Sequence, residues 1–124
     1  MIDFSNDVFV KLTPINIKVF GYEVLPFLIP GEEVIATYQA LRDGVVFTNK
    51  RIIAINVQGI TGKKKDMTTL PYNKTQAFSI ETAGTIDLDS ELVLWFTELG
   101  KVKFEFSGTV DISEICKLIS CHVL

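Results

Sequence analysis

The spacing of apolar residues changes period along the chain, and each period predicts an element. Over residues 15–28, Ile17, Phe20, Val24, Phe27 and Leu28 recur at three- and four-residue spacing, the stripe of an amphipathic helix. Pro14 suits a first helical turn, where a missing N–H costs nothing, and Pro26 should end or kink the helix. Ile29-Pro30-Gly31 then reads as a stop and turn. From Glu33 onward the apolar residues follow the period of strands. Strands are predicted over 34–41, 45–48, 51–57, 64–70, 75–82, 91–97 and 101–106. Arg42-Asp43-Gly44 is placed in a turn, because Asp-Gly tolerates the positive φ that tight hairpins need. The strand over 64–70 is polar and lysine-bearing, as edge strands often are. In the last strand Val102, Phe104 and Phe106 point in, while Lys101, Lys103 and Glu105 point out. Trp95 lies in the apolar run Leu92–Phe96 and is expected in the core. Asp111 is a suitable N-cap for a closing helix whose inner face carries Ile112, Ile115, Cys116 and Ile119.

Seven antiparallel strands with short connections predict a mainly β fold with α elements: a partly opened barrel or a two-sheet sandwich. The C-terminal helix would cap one open end, and an N-terminal helix is added to it. Residues 1–30 are taken as an N-terminal helical extension and 31–124 as the domain proper.

Composition narrows the function. With 124 residues, 48% hydrophobic and 22% charged, the chain is one ordinary globular domain and not a disordered one. Its formal charge of −3 argues against a generic nucleic-acid binder. The N-terminus carries Asp3 and Asp7 where a secretion signal wants positive charge, and the chain is expected to be cytoplasmic. Cys116 and Cys121, five apart on a helix, point away from each other and cannot form a disulfide. With His122 they still fall short of a zinc ligand set. That single histidine, next to the C-terminus, leaves no Ser-His-Asp or Cys-His arrangement. Asp87-Leu88-Asp89-Ser90-Glu91 alternates like a calcium loop but lacks its central glycine and enough ligands. Gly59-Ile60-Thr61-Gly62-Lys63 lacks the spacing of a phosphate loop and joins strands, not a strand to a helix. No catalytic residue, metal or cofactor is expected.

Several stretches carry a family resemblance. They are Gly31-Glu32-Glu33-Val34, Arg42-Asp43, Phe47-Thr48-Asn49-Lys50-Arg51-Ile52-Ile53 and Gln58-Gly59-Ile60-Thr61-Gly62-Lys63-Lys64. Leu70-Pro71-Tyr72, Ser79-Ile80-Glu81-Thr82-Ala83-Gly84, Asp87-Leu88-Asp89-Ser90-Glu91-Leu92 with Trp95, and Asp111-Ile112 follow in order. Together they resemble the bacterial pleckstrin-homology-like domains over about residues 31–124. The resemblance implies a seven-stranded barrel with a C-terminal helical cap, no enzymatic activity, and ring-like self-assembly as one possibility.

Two candidate surfaces remain. Residues 50–74 hold six basic groups and one acidic group, whereas residues 75–124 hold three basic and eight acidic. Arg51, Lys63, Lys64 and Lys65 are candidate contacts to an anion or a partner, the plainer reading being a solvated lysine run that protects a sheet edge. The pleckstrin-homology domains of eukaryotes grip inositol phosphates with a long basic first hairpin. Here that hairpin is short and contains Asp43, so no stereospecific phosphoinositide site is expected. Phe20, Phe27 and Leu28, with Asp87 and Asp89, are candidate contacts of a homo-oligomer: apolar area supplies affinity and complementary charge supplies register. The leading expectation is a non-enzymatic scaffold acting through self-association and an unidentified protein partner. The alternative is a module for anionic ligands or membrane headgroups.

Overall fold

Among the described residues, period-two segments become strands of two antiparallel sheets, eight strands in all, which face each other as a sandwich and do not close into a barrel. The structure, a computed structural model, describes residues 1–5 and 9–124. Asp7 therefore lies outside the described residues. In chain order the elements are β1 (Thr13–Pro14), α1 (Ile17–Val24), a 3-10 turn (Leu25–Phe27), β2 (Val34–Ala40), β3 (Asp43–Thr48), β4 (Arg51–Gln58) and β5 (Lys64–Pro71). A second 3-10 turn (Tyr72–Lys74), β6 (Thr75–Glu81), β7 (Ser90–Phe96), β8 (Gly100–Phe106) and α2 (Ile112–Val123) complete it. One sheet runs β1-β2-β3-β4-β5 and the other β6-β7-β8. The seven predicted strands are all present, and the two-residue β1 is added. The first helix tightens after Val24, because Pro26 has no N–H to continue the α-helical ladder.

The main core lies between the sheets, where Phe47, Ile52, Leu70, Leu92, Phe104 and Phe106 are buried. Ile115 and Ile119 of α2 close one end of it. The N-terminal residues belong to it as well: Ile2, Phe9 and Leu12 are buried there. Leu12 bridges Phe106 in parallel, and the amides of Leu12 and Glu105 bond the carbonyls of Glu105 and Phe9 at 2.9 and 3.0 Å. Residues 9–12 therefore act as a strap along the edge of β8.

A second core sits on the outer face of the larger sheet, where Phe20 and Val24 of α1 pack on Val46, Ile53 and Ile55. This double covering explains why β4 reads as an unbroken apolar run, Ile52 to Ile55, with no alternation. It also explains Gly44. The turn between β2 and β3 takes its positive φ at Leu41 (53°), not at the glycine. Gly44 sits inside β3, and a Cβ there would lie 2.6 Å from the Phe20 ring. The glycine is needed for helix-to-sheet contact and not for the turn.

Trp95 is corrected. Strand parity is set by Ser90, Leu92, Leu94 and Phe96, which all face inward, so Val93 and Trp95 face outward. Trp95 is 37% exposed, opposite Ala77 of β6 and Lys101 of β8. No helix among the described residues is long and apolar enough to cross a membrane.

Two stability measurements check this packing. Trp95→Ala should lower unfolding free energy by about 1 kcal/mol, against about 3–5 kcal/mol for the fully buried Phe104→Ala, both read by urea titration. Gly44→Val should cost about 1–3 kcal/mol by overpacking against Phe20, and the added truncation Phe20→Leu should recover part of that loss.

Candidate functional site

The basic residues singled out in the sequence do not form one site. β4 and β5 are antiparallel, with Arg51 opposite Pro71 and Gln58 opposite Lys64. Arg51 and Lys64 thus stand at opposite ends of the hairpin, roughly 20 Å apart along the strands.

Arg51 is committed to the chain itself. Its Nε donates to Glu32 Oε2 and one terminal nitrogen to Glu32 Oε1, both at 2.9 Å. The other guanidinium donors reach Phe27 O at 2.8 Å and Thr69 Oγ1 at 3.0 Å. Four of its roughly five N–H groups are thereby used, which leaves little for an external anion. Glu32 has a fully buried side chain, and its remaining lone pairs accept from Thr48 Oγ1 at 2.7 Å and the Ile29 amide at 3.1 Å. Burial pushes the Glu32 carboxyl up, but Arg51, Thr48 and the Ile29 amide outweigh it and hold the group below the usual carboxylate range. Tyr72 extends this network by donating to Thr48 O at 2.7 Å, and burial pushes its phenol up.

This network sets the shape of the neighbouring surface. It pins the carbonyl of Phe27 and the turn through Glu32. Around it, Tyr22 (62% exposed) and Leu25 (53%) border one hollow with Glu32 and Val34, Phe27 (61%) borders another with Arg51, Ile53 and Met67, and Ile29 (55%) is exposed in the turn that follows. Phe27 is therefore available to a partner, and Leu28 is half-buried against the second core. Phe20 is 4% exposed inside that core, because it is the residue that seats α1 on Gly44, and it is unavailable as a contact.

Among the lysines, Lys65 pairs with Glu23 of α1 at 3.5 Å and so fastens the helix to β5. Lys63 and Lys64 are exposed at the turn into β5 and have no charged partner among the described residues. On the acidic side, Asp89 is held by Lys11 of the strap at 3.0 Å. Glu105, half-buried beside it, is pushed up by burial and by the Asp89 charge. Asp87 is exposed and accepts the Asp89 amide at 3.0 Å. So Asp89 serves the chain's own strap, while Asp87 remains open to solvent. Thr48, read from the sequence as a local pairing residue before Arg51, does bond the Arg51 backbone, whereas Glu32 was not singled out. The usable signal was the Glu pair directly after Gly31, ahead of a strand that opens on Arg51.

The chain is similar over residues 3–123 to the family model described as Bacterial PH domain. It is 43% identical over 100 residues to the uncharacterized protein YjqA of Bacillus subtilis, covering 79% of this chain and 80% of that one. It resembles the crystal structure of a DUF1696 family protein with a pleckstrin-homology domain from Shewanella loihica, with TM-score 0.80 and 35% identity. That match covers 93% of this chain and 99% of the other. A pleckstrin homology domain from Shewanella amazonensis matches with TM-score 0.67 and 34% identity, covering 97% and 94%.

The buried pair has a pH signature. Because the Glu32 carboxyl lies below its unfolded value, its stabilisation is present above about pH 4.3 and is lost as pH falls through the folded value. Glu32→Gln should therefore flatten the acid limb of stability against pH below about pH 4.3. Arg51→Leu, which leaves the buried carboxylate unpaired, should cost about 3–5 kcal/mol at pH 7. Chemical denaturation across a pH series reads both.

Proposed function

The chain belongs to the bacterial PH domain family, and from that membership and its own surface we propose that it is a non-catalytic binding module that associates with further copies of itself. The observation that carries this reading is the set of exposed apolar side chains Tyr22, Leu25, Phe27 and Ile29 in and just after α1, which the chain's own cores leave uncovered. Exposed aromatic and aliphatic side chains concentrated in one segment are the usual substance of an interface. Charge adds direction. Lys63 and Lys64 lie at one edge of the larger sheet, while Glu81 and Asp87 are exposed at the end of β6 and in the loop that follows it. Complementary patches on different faces favour head-to-tail contact, which closes into a ring when the rotation allows. The alternative, an anionic-ligand or headgroup module built on Arg51 and Lys63–Lys65, has less support. Arg51 is bonded internally and Lys65 is paired, so two adjacent lysines remain.

Sedimentation of the full chain at two protein concentrations and two salt levels tests the proposal. The expected result is a mass above 13.9 kDa that rises with concentration. Phe27→Asp combined with Leu25→Asp should return it to the monomer with its circular dichroism unchanged. A monomer at high concentration and low salt overturns the proposal.

A further inference from the structure

β2 is incompletely covered on the side away from β3, and a groove opens there. β1 pairs only with Gln39 and Tyr38, and the Ile15 amide then bonds Thr37 O at 3.1 Å before the chain turns into α1. Among the described residues no strand continues along β2 past that point. On the opposite side the register steps from Val34–Thr48 to Ala36–Phe47, which leaves Ile35 without an opposite residue in β3. The Ile35 side chain is 44% exposed. Two open hollows of about 310 and 320 Å³ adjoin here, and both are lined by Ile35, Ala36, Tyr38 and Glu114. They form one channel between β2 and α2. Its floor is the edge-to-face pair of Tyr38 and Phe47, with ring centroids 5.7 Å apart, and the small Ala36 gives it depth.

The channel follows α2 from Asp111 to His122, roughly 16 Å at the rise of an α-helix, which matches about five residues of extended chain. Its two ends differ in charge. Asp111 lines only the first hollow and Lys117 only the second, with Glu114 between them on both. The Asp111 carboxyl, held down by its bonds to Ser113, stays ionised at neutral pH. Glu114 and Lys117 touch at 3.7 Å, but their side chains are 70% and 73% exposed, so each remains free to turn to a partner.

We propose that this channel binds an extended peptide segment of a partner protein. The segment carries apolar residues at its centre, a basic residue over Asp111 and Glu114, and an acidic residue over Lys117. Backbone bonding beside β2 supplies affinity, and the apolar floor and charged ends supply selectivity, as in other recognition by strand addition. The first hollow abuts the one beside Tyr22 and Leu25, with which it shares Ile17, so peptide binding and self-association are read by separate measurements.

The test uses the full chain and the blocked peptide Lys-Val-Ile-Tyr-Val-Asp, followed by amide shifts in NMR, with Glu-Val-Ile-Tyr-Val-Glu as the comparison. Saturable shifts at Ile35, Ala36 and Leu118 are expected, with tighter binding of the first peptide. Glu114→Lys should weaken the first peptide about threefold or more and strengthen the second. Ile35→Asp, an exposed position, should weaken both about tenfold or more without changing the fold. Absence of saturable shifts at millimolar peptide overturns the proposal. So do shifts centred elsewhere, and so do groove amides that move with protein concentration alone, which would make the occupant a second copy.

Discussion

The pairing of Arg51 with Glu32 is the constraint on which the outer half of the molecule depends. A carboxylate removed from water is tolerated only when its lone pairs are filled, and here a guanidinium, a hydroxyl and a backbone amide fill them. In filling them, the pair ties four pieces of chain together. These are the turn through Glu32, the end of β3 at Thr48, the start of β4, and the carbonyl of Phe27 beyond α1. Thr69 on β5 adds a fifth anchor. A hydrophobic pair of equal volume could give similar stability. It would not hold the Phe27 carbonyl, and so would not fix where the chain runs beyond α1.

The larger sheet has to satisfy two faces at once. β3 and β4 are buried on both sides, by the second sheet beneath and by α1 above, while β7 and β8 are buried on one side only. The two regimes meet opposite demands. Double burial calls for continuous apolar sequence and a glycine where the Phe20 ring comes close. Single burial calls for alternation, and its outer face then carries Val93, Trp95, Lys101 and Lys103.

Much of this was legible in the sequence, and what was missed has physical reasons. The strands between residues 34 and 106 and the closing helix follow from period and turn chemistry, both of which are local. Trp95 was misread because five consecutive apolar residues hide their parity, and only the burial of Ser90 at the head of β7 reveals it. Phe20 was misread because a helix stripe shows that a face is apolar but not which surface it meets. Arg51 was misread because its partner lies 19 residues earlier, at a separation that no periodicity records. The strap was missed because residues 9–12 make one isolated bridge and three backbone bonds, too few to leave a strand pattern.

The strap has a consequence for biosynthesis. Leu12 leaves the ribosome well before Glu105 and Ser107, where its backbone partners lie. Its side chain is fully buried in a core that those later strands complete. Contacts so distant in sequence form late, after the loop between them has been closed. The sandwich therefore cannot be completed during translation until β8 has emerged, and until then Phe9 and Leu12 are exposed apolar side chains on a nascent chain. In the cell, this makes the N-terminal strap a segment for which holding chaperones can compete with the sheet edge it is destined to join.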